Sequence, residues 1–176
     1  LRDGLADNWI STINGDKKGN IWVGTWGGGI TCIKNGDLYN FNLKNGLPEN
    51  KIRCILEDRE GNIIIGTNEN GISIFKGEQF LSYSEKDGLI NEQVNAILQS
   101  NQKIWFGTKA GISILSNSNS IERVEQFGGD YSDYFTGNFK KEVVFLKEDK
   151  NKNVWIGTKT DGIYQYVQSR KKIEYI

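Results

Sequence analysis

The sequence predicts an all-β fold of four antiparallel four-stranded sheets, and three observations carry that reading. The segment Gly19-Asn20-Ile21-Trp22-Val23-Gly24-Thr25 returns as Gly61-Asn62-Ile63-Ile64-Ile65-Gly66-Thr67, as Lys103-Ile104-Trp105-Phe106-Gly107-Thr108, and as Asn153-Val154-Trp155-Ile156-Gly157-Thr158. The Gly-Thr pairs lie 42, 41 and 50 residues apart, and self-similarity at such a period is the signature of a repeat architecture. Short runs rich in Ile, Val, Trp and Phe alternate with turn signals, and no apolar period of 3.6 residues is sustained, so almost no helix is expected.

Each repeat reads as four strands in one order. In the first, Asp3-Gly4-Leu5 signals a turn before a β-branched run at 10–13. The turn Asp16-Lys17-Lys18-Gly19-Asn20 leads into 21–25, then 30–33, the turn Asn35-Gly36-Asp37, and 38–41. The second repeat places strands at 52–55, 63–65, 72–75 and 80–83, after Asn45-Gly46-Leu47. The third follows Asp87-Gly88-Leu89 with 94–97, a strand ending at Thr108, 112–115 and 121–127. The fourth gives 143–146, 153–158, 162–167 and 172–175.

Within these strands Ile21 and Val23 point one way and Trp22 the other, so both faces of each sheet are apolar. A sheet of that kind needs a similar sheet against each face. Radial stacking supplies this, so the architecture expected is a β-propeller with four blades, near 3–44, 45–86, 87–138 and 139–176. Thr12, Cys54 and Ala96 are small at one shared position, as innermost strands require, and Phe145 breaks that pattern. Gly24, Gly66, Gly107 and Gly157 sit inside strands, where glycine costs stability unless a neighbour comes close. Trp22, Trp105 and Trp155 read as core aromatics between blades.

A repeat of the form D-G-L-x-x-N-x-I followed by D-x-x-G-N-I-W-I-G-T-x-x-G-G-I-x-x-F resembles the two-component regulator propeller repeat. The resemblance covers all four repeats; it departs at the third, whose turn lacks Asp-x-x-Gly-Asn, and before the fourth, where D-G-L is replaced. It implies an extracytoplasmic, periplasmic sensor region of a bacterial hybrid histidine kinase, with oligosaccharides as the ligand class. It also implies more than four repeats per ring, and therefore flanking repeats or a second copy against the terminal blades. The chain begins at Leu1, which reads as a processed or excised piece. No kinase, receiver or DNA-binding segment is visible in it.

Composition narrows the function. Lys plus Arg and Asp plus Glu are 22 each, so no overall field draws the chain to nucleic acid or a membrane. No apolar run reaches the roughly 20 residues of a membrane span. Histidine is absent, which removes the commonest general base and metal ligand. No nucleophile elbow, phosphate loop or metal-binding spacing appears, so neither catalytic residues nor a cofactor are expected. Turn chemistry accounts for the Asp-x-x-Gly-Asn segments, which lack the ordered oxygen ligands of a calcium loop. Cys32 and Cys54 read as buried small hydrophobes, with a disulfide as the alternative.

In an antiparallel blade the linker into the first strand and the loop between second and third strands share a rim. Candidate ligand residues there are Trp26, Asn68, Glu69, Lys109, Lys159 and Asp161, joined by Tyr131 and Tyr134 of an inserted loop at 128–137. Rings set among short polar side chains suit sugar recognition, with an apolar face for the ring and polar groups for the hydroxyls. The alternative is that these aromatics plug gaps between blades. A ligand-sensing or signal-relaying module is the leading reading; a protein-interaction or dimerisation propeller is the second. An enzyme such as a propeller lyase or hydrolase is the third, and nothing marks its acid/base pair.

Overall fold

In the computed structural model, which describes residues 4–116, 121–123, 139–170 and 172–176, the strands form four antiparallel sheets of four. The first sheet holds β1 (Ile10–Gly15), β2 (Ile21–Thr25), β3 (Ile30–Lys34) and β4 (Asp37–Phe41). The second holds β5 (Ile52–Glu57), β6 (Ile63–Thr67), β7 (Ile72–Phe75) and β8 (Phe80–Tyr83). In the third are β9 (Val94–Ser100), β10 (Lys103–Thr108), β11 (Gly111–Leu115) and β12 (Ile121–Arg123), and in the fourth β13 (Val143–Glu148), β14 (Val154–Thr158), β15 (Ile163–Val167) and β16 (Lys172–Tyr175). Strand order within every sheet is sequence order, as consecutive hairpins give. Among the described residues, helix is limited to two three-residue 3-10 turns, Leu43–Asn45 and Glu85–Asp87.

The first strand of each sheet runs past the β-branched segment read from the sequence. Asn14 and Gly15 still pair with Trp22 and Ile21, because the backbone ladder continues to the turn whatever the side chains are. Of the expected strand at 121–127, Ile121–Arg123 is described and the remainder lies outside the described residues.

Two local devices recur. In the Asp16 turn, Oδ1 accepts the Lys18 and Asn20 N–H groups, while Oδ2 accepts the Asn20 amide (2.7 Å) and the Trp22 indole N–H (2.9 Å). Asp149 does the same with Asn151, Asn153 and Trp155. The motif therefore couples turn and tryptophan: the carboxylate that closes the turn also satisfies the ring N–H of a core aromatic. The second device explains the Gly-Thr pairs. Thr25, Thr67, Thr108 and Thr158 each donate Oγ1–H to the carbonyl of Gly29, Gly71, Gly111 or Gly162 at 2.8–2.9 Å. Each hydroxyl also accepts a backbone N–H from the loop it spans. Those four glycines all have positive φ, a conformation that costs glycine nothing.

The chain divides into two compact units, Leu1–Ser84 with Glu92–Val94, and Glu85–Asn91 with Asn95–Ile176. In the first, Trp22, Ile30, Ile52, Ile55 and Ile63 form a buried cluster, with Phe41 and Phe75 against it. Trp22 lies 5.7 Å from Phe75 of the next sheet. In the second unit Trp105 lies 5.1 Å from Tyr166 of its neighbouring sheet. Trp22 and Trp105 are thus core aromatics between blades, as expected, whereas Trp155 is only half-buried. Gly24 and Gly107 meet something different: besides their own sheet, a β-branched side chain of the following one. A Cβ on Gly24 would lie 2.7 Å from Ile52 Cγ2, and one on Gly107 would lie 2.5 Å from Val143 Cγ1. Ile52 and Val143 are themselves fully buried.

The first sheet's other face has no such cover. Ile10, Ile13 and Ile21 are 36%, 65% and 40% exposed, whereas Ile52, Ile55 and Ile63, their counterparts one repeat on, are 0%, 7% and 3% exposed. In the fourth sheet Phe145 and Ile163 are likewise exposed. Cys32 and Cys54 are both free thiols, in the first and second sheets; burial pushes Cys54 up to about 12.

Candidate functional site

One backbone rule builds the rim. In three of the repeats the residue after the Gly-Thr pair donates its N–H to the residue preceding the first strand of the same sheet. The three pairs are Trp26 to Trp9, Asn68 to Lys51 and Lys159 to Glu142, at 2.9–3.1 Å. Trp26 also forms an isolated bridge with Lys51, ahead of the second sheet. The linker and the β2–β3 loop therefore share a rim, as antiparallel connectivity predicts.

On that rim the first unit assembles a compact cluster. Just inside β5 the register shifts between Ile52 and Cys54, leaving Arg53 as the extra residue of a bulge. Bulges commonly re-aim a side chain, and here the guanidinium lies over the Trp26 ring, 5.0 Å from its centroid. Arg53 Nε and Nη2 both donate to Asn68 Oδ1, at 2.8 and 2.5 Å. Asn68 is buried and passes its own amide N–H to Glu69 Oε1 at 3.0 Å. The Glu69 N–H in turn donates to the buried Glu49 carboxylate at 2.6 Å. Trp9 stands beside Trp26 with ring centroids 6.3 Å apart and is 68% exposed. Trp26 itself is half-buried between Trp9 and Arg53.

The result is a two-tryptophan surface backed by a guanidinium whose orientation is set by stacking and by a buried amide. Among the described residues Arg53 has no ion pair. Such an arrangement offers an apolar ring face beside hydrogen-bond donors and the exposed Glu69 carboxylate.

The remaining candidates lie in the second unit. Lys109 is exposed. Lys159 reaches Glu142 at 3.2 Å, and Asp161 pairs with Lys141 at 2.6 Å. The Lys141 hydrogen bond holds the Asp161 carboxyl below its ordinary value and raises the Lys141 ammonium in return. Tyr131 and Tyr134 lie outside the described residues. Sequence reasoning missed Trp9 and Arg53. The signal for Arg53 was a long cation within a first strand whose counterparts are Ser11, Asn95 and Val144.

The family model described as Two component regulator propeller matches residues 4–27 and 46–69, within the repeats of the first two sheets. Among solved structures, the chain is similar to the extracellular domain of a B. thetaiotaomicron protein assigned to a hybrid two component system. That match has a TM-score of 0.78 at 20% identity and covers 99% of this chain and 22% of that one. A second such domain from B. thetaiotaomicron gives 0.74 at 20% identity, over 96% of this chain and 23% of that one. Virginiamycin B lyase from Staphylococcus aureus gives 0.72 at 19% identity, over 97% of this chain and 56% of that one. The chain thus spans under a quarter of the two-component relatives' length and about half of the lyase's. No curated protein sequence matches it significantly. These likenesses define the fold as a β-propeller of four-stranded blades.

Proposed function

We propose that this chain is a ligand-sensing, signal-relaying part of an extracytoplasmic propeller belonging to a two-component regulator of the hybrid histidine kinase type, lying in the periplasm. The observation that carries the reading is the Trp9–Trp26–Arg53 surface, oriented by Asn68 and Glu69, on a chain whose repeats match two-component regulator propellers. The ligand is an oligosaccharide: one sugar ring lies on the tryptophans and its hydroxyls meet Arg53 and Glu69. Lys109, Lys159 and Asp161 extend the same class of rim in the second unit.

Lyase chemistry is not the favoured reading. A histidine-to-alanine variant of the similar lyase is described as catalytically inactive, and these 176 residues contain no histidine. The second reading, docking of protein against protein, is favoured by one observation: the uncovered Ile10, Ile13 and Ile21 face. Its occupant would be a second copy of this chain, which would cover Ile10 as the first sheet covers Ile52.

Calorimetric titration with a panel of neutral and acidic oligosaccharides tests the first reading. Trp26→Ala should weaken the binding found by about 1–3 kcal/mol, as expected for an aromatic anchor, with the circular dichroism unchanged. Absence of saturable binding across the panel, or binding indifferent to Trp26→Ala, overturns it.

A further inference from the structure

The rim opposite Trp26 holds a cavity of about 490 Å³ between the first and second sheets. Its edges are the turns at Asp16–Asn20, Asn35, Gly61 and Gly77. One wall is aromatic: Trp22, Phe41 and Phe75 pack against one another along it, with ring centroids 5.2–6.1 Å apart, and Tyr39 stands half-exposed at one side. One short residue lines its floor. Cys32 lies in a cross-strand row between Trp22 and Tyr39, and the same position is filled by Ile74 between Ile64 and Leu81 in the next sheet, and by Ile114 in the third. The shorter side chain leaves the floor low.

Charge at the mouth is unbalanced in its availability. Both acids there are engaged: Asp16 accepts four hydrogen bonds from its own turn and Trp22, and Glu57 takes the Lys17 N–H and pairs with its ammonium. The two cations are not. Lys18 and Lys34 are exposed, and among the described residues neither ammonium has an ion pair or hydrogen bond. A cleft of this size with apolar rings inside and free cations at its edge suits a small ring that carries one negative charge.

We propose that this cavity is a second binding site, for a planar aromatic carboxylate whose ring lies against the wall formed by Trp22, Phe41, Phe75 and Tyr39 and whose carboxylate meets Lys18 and Lys34. It is independent of the rim built on Trp26 and uses no residue of it.

Fluorine NMR of para-fluorobenzoate against the full chain tests the site, with para-fluorobenzamide as the uncharged twin. The acid should bind saturably and quench Trp22 emission. The amide, and the acid against Lys18→Ala/Lys34→Ala, should bind about three- to tenfold more weakly, the scale expected of two exposed ion pairs. Cys32→Ile and Cys32→Phe should raise the floor stepwise and weaken the acid in that order, with Cys32→Ile keeping the thermal transition if the larger side chain does not fold. Equal binding of acid and amide overturns the charge assignment and with it the proposed ligand class. Undiminished binding to Cys32→Ile, or no saturable binding of the acid, overturns the site.

Discussion

Gly107→Ala puts the contact between neighbouring sheets to a direct test. The added Cβ would sit 2.5 Å from Val143 Cγ1, 3.1 Å from Val143 Cβ and 3.4 Å from Ala96 Cβ. One methyl therefore accounts for the only approach below 3.0 Å, and Val143 is fully buried, so it has little room to give. Overpacking of this kind costs about 1–3 kcal/mol, while replacing a strand glycine returns roughly 0.5–1 kcal/mol. Mid-range values give a net loss of about 1 kcal/mol, or a Tm lower by roughly 2–4 °C for a chain of this length. Gly157→Ala is the internal control. It occupies the same place in the fourth sheet, yet its nearest neighbour is Phe145 Cβ at 3.1 Å, on its own sheet, so its Tm should stay level or rise. Adding Val143→Ala to Gly107→Ala removes the clashing methyl. The double variant should then be more stable than the sum of the singles predicts, a coupling of at least about 0.5 kcal/mol for residues in contact. Thermal unfolding followed by circular dichroism measures all four proteins. If Gly107→Ala melts with or above the parent, or if the two substitutions are additive, the seating of one sheet on the other's glycine does not hold the blades together.

Further outcomes follow from the turns and the uncovered face. Asp16 loses charge stability to burial, but its four hydrogen bonds outweigh that and its carboxyl is held below the ordinary value; Asp161 is lowered by its Lys141 hydrogen bond and that pairing. A lowered carboxyl stabilises the fold above the unfolded value near 3.8 and gives that stability up as pH falls through the lowered value. Urea midpoints should therefore hold down to about pH 4 and drop below it, and Asp16→Asn should flatten that drop. Ile13→Asp, on the exposed face, should cost under about 0.5 kcal/mol in the isolated chain and reduce self-association in sedimentation velocity. Ile55→Asp, its buried counterpart one repeat on, should prevent folding, since it removes roughly 1.5–3 kcal/mol of burial and adds an unpaired charge.

Much of the fold was legible because each strand is bracketed by residues with a mechanism. Asp16, Gly19 and Asn20 close a turn whatever surrounds them, and Ile21 to Thr25 then has nowhere to go but a strand. The candidate site was less legible. Trp26 stood out as a large ring in a glycine-flanked loop, but Arg53 reads as one more strand residue until the bulge after Ile52 turns it to the rim. Trp9 reads as the start of a strand and becomes a ring partner only through the Trp26 to Trp9 backbone bond. The strand glycines were recognised as needing a close neighbour, yet for Gly24 and Gly107 that neighbour, a β-branched residue 28 and 36 positions ahead, is a fact of sheet stacking that local pattern does not contain.

The loops of the Trp26 rim are tied forward as well as back. Gly29 donates its N–H to Asn50 at 3.0 Å, and Gly71 donates to Glu92 at 2.9 Å, so each loop is fastened to the segment that enters the following sheet. Thr25 and Thr67 brace the same loops from within. A load placed on the loop at 26–29 therefore has a direct route along the Gly29 bond into the segment that enters the second sheet, and one placed on the loop at 68–71 has the same kind of route through Gly71 to Glu92.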